Sequence, residues 1–315
     1  MGKQLNRANL IRESLLVEAP TFTQAKADFL QSLKDKQMSS QTIRGYDGDL
    51  KQFQQHLTGN SNAPAFVSSI TEEKVENFKQ EQIKKKLKPA SVNRRINSVS
   101  SFCNFAVKKH WLSFNPAQDV DRVKGQKPKR TFLSKQEMQQ LITNMKHPII
   151  KYVVILMSNT GLRVSEAANL RIQDVDFVQN MVHVIEGKGS KNRDIPLSSA
   201  LKKELKHYLE HVRPDTTSIN FFATKKTGGI SQQYINRIIK ETCQSLGFEK
   251  EVTSHALRHS FASNLVKTDT HVAIISNLLG HADVRTTSVY MHADLTDLQK
   301  AVNTIEFLEL DGEKV

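Results

Sequence analysis

Thr253-Ser-His-Ala-Leu-Arg-His-Ser-Phe-Ala-Ser-Asn-Leu265 has the spacing of one helix with two different faces. Leu257, Phe261 and Leu265 recur every four residues, a stripe that buries itself in a core. His255 and Arg258, three apart, share another face, with His259 beside them. Thr253 or Ser254 stands where a cap is needed. The expectation is a helix that packs on one side and presents imidazole and guanidinium on the other.

Helical spacing dominates the chain around this segment. Downstream, Ile274, Ile275, Leu278 and Leu279 form a helix stopped by Gly280, with His281 just past the stop. Tyr290 stands among hydroxyls and His292, whereas Tyr152 and Tyr208 sit in apolar periodic segments and read as core. Upstream, Leu133-Ser-Lys-Gln-Glu137 reads as a helix start, with Ser134 as cap and Glu137 closing a capping box. The run Ile149 to Met157 predicts a buried helix ending near Asn159-Thr-Gly161, followed by a helix carrying Arg163 and Glu166. Val175-Asp-Phe, Met181-Val-His-Val-Ile and Arg193-Asp-Ile-Pro-Leu read as short strands, the last two joined by the turn Gly187-Lys-Gly-Ser-Lys-Asn192. Helices resume through Leu201, Leu205, Tyr208 and Leu209, then Ile235, Ile238 and Ile239.

The first third shows no strand pattern. Phe22, Phe29 and Leu33 share a face, as do Leu50, Phe53 and Leu57, and as do Val92, Ile96, Val99, Phe102 and Ala106. Ser40 marks one helix start, and Thr71-Glu-Glu-Lys reads as a capping box. The resulting fold class is mainly α with a small antiparallel β-sheet. Its expected organisation is a tail over residues 1–20, a helical domain over 21–121, a linker over 122–130 and a second domain over 131–315.

Composition narrows the function. A chain of 315 residues suggests two domains at about 150 residues each. With 45 basic and 32 acidic residues the net charge is +13, which points to a polyanionic partner such as nucleic acid. Residues 79–95 hold Lys79, Lys84, Lys85, Lys86, Lys88, Arg94 and Arg95 against Glu81 alone. The linker adds Arg122, Lys124, Lys127, Lys129 and Arg130, with Gly125 and Pro128 favouring an extended, flexible segment. A cationic helix face leading into a cationic tether suits a phosphate backbone, although a solvated face would have the same composition. Cys103 and Cys243 make no disulfide framework and lack metal-ligand spacing, which fits a reducing cytoplasm. No stretch approaches the roughly 20 apolar residues of a membrane span, and Lys3, Arg7, Arg12 and Glu13 interrupt any secretory core. Zinc is disfavoured at His255 and His259, because no Glu stands in a His-Glu-x-x-His pattern and Arg258 would repel a dication.

Thr160-Gly-Leu-Arg-Val-Ser-Glu166, Gly187-Lys188-Gly, His255-Ala-Leu-Arg258-His, Leu279-Gly-His281 and Tyr290 follow one another in this order. The set resembles that of the tyrosine recombinases, or phage integrase family, and the short N-terminal tail favours a simple Xer-like or transposon-resolving form as the expectation. The resemblance covers the catalytic half. The first half is similar only in layout, to the family's SAM-like core-binding domain, with no motif to match. A two-domain, C-shaped clamp on double-stranded DNA is implied, with no cofactor and no metal. Tyr290 would attack a phosphodiester, Arg163 and Arg258 would clamp its non-bridging oxygens, and Lys188 would protonate the departing 5′-hydroxyl. His255 would assist proton transfer and His281 would donate to the phosphate. Glu166 would hold Arg163 or its helix, and His259 would support. Lys84, Lys85, Lys86, Lys88, Arg94, Arg95, Lys124, Lys127, Lys129 and Arg130 are the candidate DNA contacts.

The chemistry asks for such groups. A phenol with a pKa of about 10 needs help to ionise at neutral pH. Guanidinium donors suit the charge that develops on phosphate oxygens. The resulting ester would conserve bond energy, so strand exchange is expected: integration, excision, or cointegrate or dimer resolution. A type IB topoisomerase shares the nucleophile, and a non-enzymatic DNA-binding protein would explain the charge but leave the ordered set idle. Finally, Leu295, Leu298, Val302, Ile305 and Leu308 form an apolar stripe inside an acidic C-terminal segment. It would pack either on its own domain or on a neighbouring protomer; the resemblance favours docking in trans within a homotetramer on two duplexes.

Overall fold

A computed structural model of the chain describes residues 19–59, 63–125, 131–185, 192–280 and 295–305. The protein is mostly helical, and its described residues contain one three-stranded antiparallel sheet. It divides into two compact units, residues 1–128 and 129–315.

Among the described residues, four α-helices build the first unit: α1 (Phe22–Asp35), α2 (Ser40–Thr58), α3 (Glu72–Lys84) and α4 (Pro89–Lys108). Thr21 and Gln24 close a capping box at the start of α1. Ser39 caps α2, one residue before the start read from the sequence. Thr71 caps α3 through the Lys74 N–H, but the expected box is half formed. Its third helical position is a lysine, a donor, which turns to the Ser69 carbonyl instead. Phe22, Phe29, Phe53, Phe78 and Phe102 form the core centre, with ring centroids 4.9 to 5.9 Å apart in tilted and edge-on pairs. The buried Asp49 carboxylate ties α2 to α4 by accepting from Arg94 Nη1 at 2.5 Å and Ser98 Oγ at 2.8 Å.

The start of the expected linker is not free. Val123 N–H donates to Asn93 Oδ1, Asn93 Nδ2 returns a bond to the Val123 carbonyl, and Arg122 Nε donates to Asn97 Oδ1. The chain at 122–123 therefore lies along α4, because Asn93 satisfies the Val123 backbone and Asn97 holds the Arg122 side chain. Lys127, Lys129 and Arg130 lie outside the described residues.

In the second unit α5 (Lys135–Thr143) starts with the predicted Ser134–Glu137 capping box. Its centre is α6 (Pro148–Thr160), on which every residue from Ile149 to Thr160 except Lys151 is buried. Gly161, left-handed at φ 66°, ends it and leads into α7 (Val164–Asn169). Strands β1 (Val175–Asp176), β2 (Met181–Val184) and β3 (Arg193–Pro196) pair in that order, with Val182 opposite both Val175 and Ile195. Alternation puts Val182, Val184 and Ile195 into the core. The β2–β3 turn, with Lys188, falls outside the described residues. Helices α8 (Ser199–His207), which widens into a π-helical turn at Tyr208–Val212, α9 (Gln232–Ser245), α10 (Ser254–Lys267), α11 (Val272–Leu279) and α12 (Leu295–Asn303) follow among the described residues. Tyr152 and Tyr208 are core residues, as their spacing predicted; burial pushes the Tyr208 phenol up to about 12.

Within the single chain, the described part of the C-terminal stripe packs on its own unit, one of the two placements expected for it. Leu298, Val302 and Ile305 are buried in this unit's own core, where α12 meets the apolar sides of α11 and β3, and Gln299 Nε2 donates to the Leu197 carbonyl. Leu308 and the acidic tail lie outside the described residues. No described helix is long and apolar enough to cross a membrane.

Candidate active site

Helix α10 is not divided as its spacing suggested. Leu257, Phe261 and Leu265 are buried as expected, and His255 is exposed, but Arg258 is only 8% exposed. Its guanidinium takes backbone carbonyls in place of solvent, donating to Gly161 O and Leu279 O at 2.6 Å each. Charge-assisted bonds of this kind repay the desolvation of the guanidinium. His259 is half-buried beside it. The helix start also differs. Thr253 occupies the cap position without a side-chain bond, and Asn236 Oδ1 on α9 accepts the Ser254 N–H.

Arg163 is the N-cap residue of α7. The Glu166 carboxylate accepts both its N–H and its Nη1 at 2.7 Å, while Nη2 donates to Gly280 O at 3.1 Å. Glu166 thus bonds both to the Arg163 guanidinium and to the backbone at the start of its helix, where the resemblance implied one or the other. A third guanidinium, missed there, completes the cluster. Arg193, on the first residue of β3, places Nη2 2.8 Å from Glu166 Oε2 and Nη1 3.1 Å from Oε1, and Nε donates to Leu278 O at 2.9 Å. Three successive carbonyls at the end of α11, of Leu278, Leu279 and Gly280, accept from Arg193, Arg258 and Arg163 in turn. The one available signal was an arginine heading the short strand Arg193-Asp-Ile-Pro196.

Two left-handed glycines make this approach possible. A Cβ on Gly161 would meet Phe261 at 2.5 Å, and one on Gly280 would meet Arg193 at 2.9 Å. The cluster is a fixed, cationic patch at the point where the chain leaves α11 for His281. His281, Tyr290 and Lys188 lie outside the described residues. Among the described residues no group of His, Cys, Asp or Glu is arranged to hold a metal.

Residues 131–296, more than half of the chain, match the phage integrase family, and residues 27–110 match the family's N-terminal SAM-like domain. The chain belongs to the phage integrase family. It is a site-specific tyrosine recombinase. A tyrosine recombinase of Pseudothermotoga lettingae is 31% identical over 281 residues, 89% of this chain and 96% of its own length. Tyrosine recombinase XerC of Thermodesulfovibrio yellowstonii is 29% identical over 86% of this chain and 92% of its own. XerD of Staphylococcus aureus is 29% identical over 85% and 93%. Among solved structures, a lambda integrase dimer bound to a COC′ core site shares the fold at TM-score 0.71 and 18% identity, covering 91% of this chain and 80% of that one. A lambda integrase tetramer bound to a Holliday junction gives TM-score 0.71 at 19% identity, over 91% and 83%.

In the first unit of this recombinase the candidate DNA contacts separate. Lys84 ends α3, Lys85 and Lys86 follow it, Lys86 at a positive φ of 56°, and Lys88 precedes Pro89 at the start of α4. All four are exposed, as is Lys124. They form a basic connection between helices in place of the expected cationic helix face. Arg94 is spent on Asp49, though its side chain stays 56% exposed. Arg95 is 19% exposed, donates to Gln82 Oε1 and comes within 3.9 Å of Asp49. Lys79 pairs with Glu76 and donates to the Asp121 carbonyl.

Proposed function

We propose that this recombinase cuts double-stranded DNA through a 3′-phosphotyrosyl ester on Tyr290 and exchanges strands within a homotetramer on two duplexes, without metal or cofactor, in the cytoplasm. The Tyr290 oxygen forms a bond to phosphorus as the bond to the 5′-oxygen breaks. Lys188 supplies the proton to that oxygen, and His255 takes the phenolic proton. Arg163 and Arg258 hold the non-bridging oxygens, and His281 donates beside them. A 5′-hydroxyl from the second duplex reverses the step, so no external energy source is needed. The observation that supports the reading most is the convergence of Arg163 and Arg258 on adjacent carbonyls at the end of α11. Preorganised donors of this kind stabilise charge as it develops, without reorganisation during the reaction.

The exposed lysines at 84–88 are the proposed backbone contacts of the helical domain, here residues 21–121, with the segment 122–130 continuing them to the catalytic domain, 131–315. A duplex nicked close to the cleavage position traps the intermediate. The wild-type protein should give a covalent protein–DNA adduct, and Tyr290→Phe none, with DNA affinity almost unchanged. An adduct with the Phe variant would mean another nucleophile; relaxation of any supercoiled plasmid would point to topoisomerase action.

A further inference from the structure

Glu166 raises an electrostatic difficulty that Arg193 resolves. Its carboxylate is 7% exposed and bonds directly to Arg163 Nη1. Taken alone, that pair is neutral, and a carboxylate within bonding distance cancels much of the positive field the arginine would offer to a phosphate. Arg193, itself only 8% exposed, bonds to both oxygens of the same carboxylate. The three groups together carry a net charge of +1. Arg163, whose side chain is 34% exposed, is the member that faces out.

We propose that Arg193 is a positioning residue for DNA cleavage: it neutralises and anchors Glu166, so that Glu166 orients Arg163 without cancelling its charge. A second link reinforces this placement. Arg193 Nε fixes the Leu278 carbonyl, and its side chain fills the space a Cβ on Gly280 would take. One guanidinium thereby joins the base of the β2–β3 hairpin, the N-terminus of α7 and the end of α11.

This inference rests on the proposed role of Arg163, and the test separates the two. Adduct formation on the nicked duplex is measured under single-turnover conditions for wild type, Arg193→Gln and the double variant Arg193→Gln with Glu166→Gln. Arg193→Gln should lower the rate by about tenfold to a hundredfold, less than loss of a direct donor to the phosphate. The double variant removes the carboxylate that Arg193 offsets and returns the cluster to +1, so it should recover at least about tenfold over the single variant. A purely structural role predicts the reverse, since the double variant loses more bonds. Should Arg193→Gln not fold, the double variant alone decides, because its site buries neither of the two charges: a rate within about tenfold of wild type supports the proposal. A double variant slower than the single one, or a single variant equal to wild type, overturns it. Wild type giving no adduct, or Arg163→Gln cleaving normally, would instead sink the role of Arg163 and leave the cluster unexplained.

Discussion

The Lys84–Lys88 connection and the Arg163–Arg193–Arg258 cluster carry the same sign of charge and are built in opposite ways. The lysines are exposed, on a connection between two helices. The arginines are tied to Glu166 and to three consecutive backbone carbonyls, and two of them are nearly buried. A flexible ammonium in water suits a salt-sensitive contact that any phosphate can satisfy. A guanidinium fixed by its own hydrogen bonds suits one oxygen geometry and is insensitive to bulk salt. Affinity should therefore be the business of the first region and chemistry that of the second.

The largest effect that could break this division is expected at Arg258. Arg258→Ala should reduce adduct formation about a thousandfold, as for other lost transition-state donors. It should also destabilise the unit, because the buried Gly161 and Leu279 carbonyls lose their donor, at about 1–3 kcal/mol for each group left unpaired. Adduct yield and thermal unfolding read the two consequences separately. Normal cleavage by this variant would mean that the buried guanidinium only staples α6 to α11. Next in size is Gly161→Ala. A Cβ placed 2.5 Å from Phe261 on left-handed backbone should cost about 2–4 kcal/mol in chemical denaturation, through overpacking and strain together. A midpoint unchanged from wild type would show that α10 can move away from α6.

Periodicity and caps made the helices readable in advance. The Ser134–Glu137 box, the buried run closed by Gly161, and the three short strands are all local patterns, and each formed where its residues stand. What failed was tertiary. Helical spacing put Arg258 on a polar face, because nothing in one helix reveals that carbonyls of two other segments wait for its side chain. Arg193 went unnoticed for the same reason, as its partners are Glu166 and Leu278, far away in sequence. The charge run at 79–95 is not uniform in the fold. Lys79 and Arg95 carry the same charge as Lys84, yet they are used up inside the helical unit. Ordered motifs singled out Arg163, Arg258 and Glu166 through resemblance, whereas their mutual geometry was legible only in the fold.

The lysine connection gives a smaller and more graded response. Replacing Lys84, Lys85 and Lys86 with Ala should leave adduct formation at saturating DNA unchanged. It should flatten log affinity against log salt by up to about one unit per lost phosphate contact. An unaltered slope would reduce this region to a solvated surface, and a loss of cleavage at saturation would erase the proposed division of labour.

Glu81 offers the finest test, since it distinguishes one lysine from its neighbours. Its carboxylate accepts from Lys85 Nζ at 2.5 Å and lies 2.6 Å from His56 Nδ1. The Lys85 bond holds the carboxyl below its ordinary value, with burial opposing and His56 adding to the effect. Lys85 is therefore partly engaged at neutral pH, while Lys84 and Lys86 are exposed. Glu81→Gln should release it and raise DNA affinity by no more than about threefold at low salt, steepening the salt slope slightly, because an exposed pair is weak and screened. The variant should also be marginally less stable above the ordinary carboxyl range, where wild-type Glu81 is ionised. That difference should vanish as pH falls through the lowered value, since a depressed carboxyl loses its contribution on protonation. Affinity unchanged by Glu81→Gln, measured alongside Lys84→Ala as a positive control, would assign phosphate contact to Lys84 and Lys86 and leave Lys85 as a helix-terminal ion pair.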